Sequence, residues 1–267
     1  MSLFRTTFFA QSIMKQTNIN VVLPNDGPPE MLQGNKHYER PAKTLMLLHG
    51  FSGNSDDWLL GSQVQEMALK YNLAIIMPSG DNSFYLDAKG IGNKYGTYVG
   101  VELLEFCRNV FHLSDKAEDT FIGGLSMGGF GALHTGLKYP EKYSKIFALS
   151  SALIVNNIKS IKPGFVDPIA DYDYYEHVFG TLSELDQSEN NPEYLVEIRQ
   201  SRKEKIQPIY MACGTDDFLI RENREFRDFL ISKAIDLTYR ESPGIHDWKF
   251  WNDNLEPAIR WLLGEKD

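Results

Sequence analysis

The chain has 267 residues, 42% hydrophobic and 24% charged, with a formal net charge of −9. That length suits one α/β domain with a sizeable core, and residues 1–267 are expected to fold as a single domain. The acidic balance repels phosphate backbones, so nucleic acid is not an expected partner, and no apolar run approaches the roughly 18 residues of a membrane span.

In chain order, residues 4–14 and 17–24 read as two extended strands joined near Lys15-Gln16, stopped by the turn-rich Pro24-Asn-Asp-Gly-Pro-Pro29. Thr44–His49 is a short apolar run of the kind buried on both faces of a sheet. Residues 56–71 are helix-like, Leu73–Met77 is the next buried run, and 80–93 form a loop rich in Gly, Asn and Asp. Tyr95–Phe111 is helical in pattern. Thr120–Leu125 reads as strand, 127–139 as a helix closed by Pro140, and Lys145–Ser150 as strand.

Residues 152–205 break the rhythm with a polar, aromatic run, Asp171-Tyr-Asp-Tyr-Tyr-Glu-His177, and are expected to hold two or three short helices. Alternation then resumes: Ile206–Cys213 strand, 220–234 helix, Asp236–Glu241 strand, 249–263 helix. The pattern predicts an α/β fold with an open, mostly parallel sheet, helices on both faces and an antiparallel N-terminal edge.

Residues 124–128 read Gly-Leu-Ser-Met-Gly. The box ends a strand and opens a helix, the turn a nucleophile elbow requires, with Ser126 strained and its hydroxyl exposed above the sheet. Alone, the box fits a serine N-cap as well. A serine hydroxyl needs a base, and the base an orienting acid, in this architecture in the order Ser, Asp or Glu, His, each after a strand. The chain supplies both. His246 lies in Ser242-Pro-Gly-Ile-His-Asp-Trp248 after the last strand, and Gly214-Thr-Asp-Asp-Phe-Leu219 follows the strand before it. The acid is Asp216 or Asp217, since neighbours point in different directions; Asp217 is favoured, leaving Asp216 as a turn or cap residue. Asp247 adjoins the histidine it would have to orient and is a poor candidate.

His49-Gly-Phe-Ser-Gly53 follows the first buried strand, where the second oxyanion donor of such a fold is found. The donors are assigned to the backbone N–H groups of Phe51 and Met127, with His49 in a structural hydrogen-bonding role. His37, His112, His134 and His177 show no metal-site spacing, so no metal is expected. His112 and His134 read as surface or helix-face residues, and His177 belongs to the insert. Trp58, Trp248, Phe250 and Trp251 read as core or pocket wall. Cys107 and Cys213 read as buried free thiols, which suits a reducing compartment. With no evident signal peptide, a cytoplasmic location is expected.

Together, Leu47–Trp58, Gly80–Tyr85, Gly124–Gly129, Cys213–Leu219 and Gly244–Trp248 resemble the esterase D-like branch of the α/β-hydrolases, most nearly bacterial tributyrin esterases. S-formylglutathione hydrolases and some feruloyl and acetyl-xylan esterases are similar at greater distance. The resemblance runs from about residue 45 to 251. It implies Ser126 as nucleophile, Asp217 as acid, His246 as base, Phe51 and Met127 as oxyanion donors, and hydrolysis of short-chain acyl esters without a cofactor. It places a cap at the insert 152–205 and hints at a homo-oligomer. The partner expected is thus a small-molecule acyl ester. A thioesterase of the S-formylglutathione hydrolase kind is the alternative, and a non-catalytic hydrolase fold used for binding is the rival from another class.

Overall fold

The computed structural model describes residues 1–265, except the side chain of Met31; Lys266 and Asp267 of the expected 1–267 span lie outside the described residues. Eight strands form one sheet: β1 (Ser2–Ala10), β2 (Lys15–Leu23), β3 (Lys43–Leu48), β4 (Leu73–Pro78), β5 (Thr120–Leu125), β6 (Lys145–Leu149), β7 (Ile209–Gly214) and β8 (Leu237–Ser242). Their order is β1-β2-β4-β3-β5-β6-β7-β8. β1 and β2 pair antiparallel, β2 pairs antiparallel with β4, and the remaining pairs are parallel. The mostly parallel sheet and its antiparallel edge are as the sequence predicts.

The central strands are apolar along their length because both faces are covered. The main helices are α1 (Val64–Tyr71), α2 (Leu103–Phe111), α3 (Met127–Lys138), α4 (Tyr172–Phe179), α5 (Pro192–Ser201), α6 (Ile220–Ser232) and α7 (Trp248–Leu262). Side chains of a strand alternate faces. Leu45 and Leu47 of β3 pack in a layer with Val64 and Met67 of α1 and Leu255 and Ile259 of α7. Met46 and Leu48 pack on the opposite layer with Leu103, Leu104, Phe130 and Leu133 of α2 and α3. Each such side chain removed from water contributes roughly 1.5–3 kcal/mol.

Tertiary contacts move several boundaries. The first hairpin turns at Gln11–Met14 rather than near Lys15-Gln16. Met14 takes φ 50°, and the Glu102 carboxylate accepts the N–H groups of Gln11 and Ser12. The expected helix 56–71 is two helices, Asp57–Gly61 and α1. At the break, Ser62 Oγ donates to the Trp58 carbonyl and accepts from the Val64 N–H. The Asn252 amide takes the Gly61 carbonyl at 2.7 Å. Tyr95–Phe111 is helical throughout but includes a π-helical segment, Tyr98–Glu102, before α2.

The segment between β6 and β7 carries Val155–Ile158, α4, a 3₁₀ turn at Leu182–Gln187 and α5. It lies over α3, whose residues Met127 to Leu137 are all buried. His134 is therefore not a surface residue, as expected above, but fully enclosed: its Nε2 lies 3.1 Å from the Glu189 carbonyl. His112 is exposed, at the C-terminus of α2. Cys107 and Cys213 are buried and unlinked.

Candidate active site

Ser126 sits between β5 and α3 with φ 54° and ψ −120°. A non-glycine residue there carries strain of about 1–3 kcal/mol, held by what surrounds it. Its N–H donates to the Leu149 carbonyl at 2.9 Å, and its carbonyl accepts from Phe130 and Ala152 at 3.1 and 3.0 Å. The strand and helix meet so closely that a Cβ on Gly128 would lie 2.3 Å from the Leu48 carbonyl oxygen and 2.6 Å from that of His49. Only glycine fits this backbone-to-backbone approach.

Asp217 follows β7 and His246 follows β8. The two loops are joined by backbone bonds, Thr215 N–H to the Ser242 carbonyl and Asp216 N–H to the Gly244 carbonyl, each at 3.0 Å. A side chain on Gly214 would come within 2.3 Å of that Gly244 oxygen. Parallel pairing of β7 with β8 thus fixes the separation of acid and imidazole.

The structure brings the three predicted residues into one hydrogen-bonded chain. His246 Nε2 is 3.0 Å from Ser126 Oγ, and its Nδ1 is 2.9 Å from Asp217 Oδ2 and 3.1 Å from Oδ1. Burial would raise the Asp217 carboxyl, but hydrogen bonds from His246 and the Leu219 amide outweigh it and hold the group below the usual carboxylate range. An ionised carboxylate only accepts, so the Nδ1 proton belongs to His246 and Nε2 is left to accept the serine hydroxyl. Trp251 meets the His246 ring edge-on at 5.0 Å, and Phe218 lies 4.6 Å away on a tilt. Asp216 is exposed, and Asp247 caps α7 by accepting the Phe250 N–H.

Phe51 and Met127 line the same cavity as Ser126, and the backbone N–H of neither has a hydrogen-bond partner among the described residues. His49 anchors the Phe51 loop. Its Nε2 accepts the Gly80 N–H at 2.8 Å and its Nδ1–H donates to the Gly50 carbonyl at 2.7 Å. Trp58 donates its indole N–H to the Leu48 carbonyl just upstream. Beside Ser126 opens a cavity of about 230 Å³, walled by Phe51, Phe84, Ile158, Tyr175 and Phe218. Its wall also holds Glu222 and Asn157, which sequence reading did not single out. Glu222 reads there as an ordinary helix N-terminal acid, and no local pattern marks its burial. His177 is exposed and lines a different hollow beside Asn82 and Tyr95.

A strained serine between strand and helix, with a histidine and an acid on successive strand ends of a mostly parallel sheet, defines an α/β-hydrolase. The family model named Esterase matches residues 10–262, and the chain belongs to that family. It is 45% identical to an acetyl esterase of Caldicellulosiruptor saccharolyticus over 267 residues, all of both chains. Among solved structures it is similar to the fluorophosphonate-binding serine hydrolase F of Staphylococcus aureus: TM-score 0.84, 28% identity, covering 100% of this chain and 99% of that one. It is also similar to the S-formylglutathione hydrolase of S. aureus: TM-score 0.81, 27% identity, covering 98% of each. The protein is a carboxylic ester hydrolase. Among the described residues no helix is long and apolar enough to cross a membrane.

Proposed function

We propose that the chain is a serine carboxylesterase for short-chain acyl esters, with Ser126 as nucleophile, His246 as base and Asp217 as orienting acid. The observation that carries this reading is the unbroken chain of bonds from Ser126 Oγ through His246 to Asp217 at the mouth of a small, mostly apolar cavity. The acetyl esterase relative supports a short acyl group.

Ser126 Oγ attacks the ester carbonyl as its proton passes to His246 Nε2. Asp217 stabilises the resulting imidazolium. The N–H groups of Phe51 and Met127 hold the oxyanion, each worth roughly 3 kcal/mol in the transition state. His246 then protonates the leaving alcohol, and a water activated by the same Nε2 releases the acid from the acyl-enzyme. These groups complete acyl transfer without a cofactor. The two buried thiols support a reducing, cytoplasmic setting.

The test is hydrolysis of p-nitrophenyl esters from acetate to dodecanoate, with Ser126→Ala beside the wild type. Turnover greatest from acetate to hexanoate and lowered about 10⁴-fold in the variant is expected. A folded wild type that neither turns over these esters nor reacts with a fluorophosphonate would refute the reading. The similarity to an S-formylglutathione hydrolase supports a second reading, a thioesterase with the same mechanism. Faster turnover of S-formylglutathione than of any short ester would favour it.

A further inference from the structure

The Phe51 loop is held from outside its own strand, and part of the hold comes from the insert between β6 and β7. Phe51 and Ser52 are the central pair of a turn closed by the Gly53 N–H on the Gly50 carbonyl at 3.2 Å. Ser52 takes φ 65°, a left-handed position that the commonest turn, type I, does not ask of that residue. Its N–H donates to Asn82 Oδ1 at 2.7 Å, which pins the peptide between Phe51 and Ser52. Asn82 stands on a strained support of its own: Asp81, Phe84 and Tyr85 have φ of 46°, 50° and 54°. Asp81 accepts the Tyr95 hydroxyl at 2.5 Å, and Ser83 Oγ donates to the Gly80 carbonyl and accepts the Tyr85 N–H. From the insert, Tyr174 of α4 donates its hydroxyl to the Asn82 carbonyl at 2.6 Å and meets the Phe51 ring edge-on at 5.9 Å. Phe179 of the same helix packs on Phe84 at 4.8 Å. Backbone strain of this kind persists only where the surroundings impose it, and it gathers at functional sites.

We propose that Asn82 and Tyr174 are positioning residues for the oxyanion hole, holding the turn that aims the Phe51 amide. The proposal rests on the serine-esterase reading above. Asn82 acts through the Ser52 peptide, and Tyr174 acts through the Asn82 carbonyl and the Phe51 ring. The insert, whose Ile158 and Tyr175 wall the cavity, thus also helps to aim one of the two oxyanion donors. Such a donor acts at the place the oxyanion takes in the transition state, so a misaimed one lowers kcat and leaves ground-state binding alone. Asn82 is exposed, Tyr174 is half-buried and Tyr174→Phe keeps the ring, so neither Asn82→Ala nor Tyr174→Phe opens a core cavity.

The experiment measures kcat and KM for p-nitrophenyl acetate in wild type, Asn82→Ala, Tyr174→Phe and the double variant. Beside it run the inhibition constants of butyl trifluoromethyl ketone and butyl methyl ketone. Ser126 Oγ adds to the carbon of the fluorinated ketone as its proton passes to His246, which leaves an oxyanion in the hole; the plain ketone only occupies the cavity. Loss of a whole oxyanion donor costs about a hundredfold or more in kcat, so a displaced one should cost about tenfold to fiftyfold in Asn82→Ala and about threefold to tenfold in Tyr174→Phe. KM and the plain ketone should stay within about twofold of wild type, while the fluorinated ketone weakens by the factor that kcat/KM loses. The double variant should lose less than the product of the two single effects, because both act on one turn. An unmoved kcat in the folded variants overturns the proposal and leaves the esterase reading intact. Parallel weakening of both ketones with a raised KM also overturns it, since that is the signature of a deformed cavity. A folded wild type that neither turns over the ester nor reacts with a fluorophosphonate would remove the esterase reading and this proposal with it.

Discussion

Gly80 donates its amide proton to Nε2 of His49 at 2.8 Å, and this bond, with those from the Ser52 N–H to Asn82 Oδ1 and from the Tyr85 hydroxyl to the His49 carbonyl, joins the loop after β3 to the loop after β4. The Nδ1–H of the same ring is used on the Gly50 carbonyl, so both ring nitrogens are committed to loop backbone. The Phe51 amide is one residue further on. His49→Leu should leave the buried Gly80 N–H unpaired and the Gly50 carbonyl with the Gly53 N–H alone, costing about 1–3 kcal/mol of stability. It should also lower kcat by an order of magnitude or more with little change in KM, because Phe51 loses its fixed position. Denaturant unfolding and steady-state kinetics measure the two effects; a destabilised enzyme with full kcat would separate His49 from the oxyanion loop.

The acid assignment separates cleanly between neighbours. Asp217 is buried against His246 Nδ1, whereas Asp216 is exposed and engaged by Thr215 Oγ1. Asp217→Asn should lower kcat by roughly 10⁴-fold while preserving shape. Asp216→Asn should stay within about threefold of wild type. Reversal of these two results would move the acid to the other residue.

Gly128→Ala introduces a methyl group where two carbonyl oxygens of the β3 terminus leave no space. Neither is the end of a flexible side chain, so the helix must shift. A loss of roughly 3 kcal/mol or more, or failure to fold, is the expected outcome on thermal unfolding. A variant of unchanged Tm would mean that the elbow is looser than its distances indicate.

Acid should destabilise the protein well above the carboxylate range. Burial, with Lys138 adding to it, depresses the folded pKa of His134 to about 3, and burial lowers that of His49 as well. Below about pH 6.5 the unfolded chain binds protons that these rings refuse in the folded state. The stability they confer is therefore complete above that pH and is lost progressively below it, for His134 down to about pH 3 at up to about 1.4 kcal/mol per pH unit. The Asp217 contribution also has the sign of loss on acidification, but only below its ordinary carboxyl range. Urea unfolding at pH 7 and pH 5 should show the fall, reduced by about 2 kcal/mol in His134→Gln. An equal fall in that variant would reject His134 as a source.

Much of the site was legible because it is organised by chain order. Ser126 and Asp217 each follow a buried apolar run and His246 follows the mixed strand Leu237-Thr-Tyr-Arg-Glu-Ser242, and strand-to-loop transitions are strong local signals. The helix break at Ser62 was not legible, since its cause includes Asn252, far along the chain. The burial of His134 was half visible: Met-Gly-Gly-Phe-Gly-Ala-Leu-His-Thr-Gly-Leu-Lys carries a single charge, and a helix without a polar face is enclosed. Glu222 left no trace, because an acid at a helix start is ordinarily solvated and only the insert folding above it takes the water away.

The placement of His246 after β8 has a consequence for how the molecule fails. β8 is one edge of the sheet, and none of its residues is fully buried, whereas β5, which Ser126 follows, is enclosed on both sides. Edge elements open at lower free energy than the centre, so partial fraying at this margin parts imidazole from hydroxyl while the interior stays folded. In a denaturant titration, turnover should vanish before the far-ultraviolet dichroism changes, and hydrogen exchange at Thr238 and Arg240 should outpace that at Ile122. The enzyme would then be switched off reversibly from its rim inward.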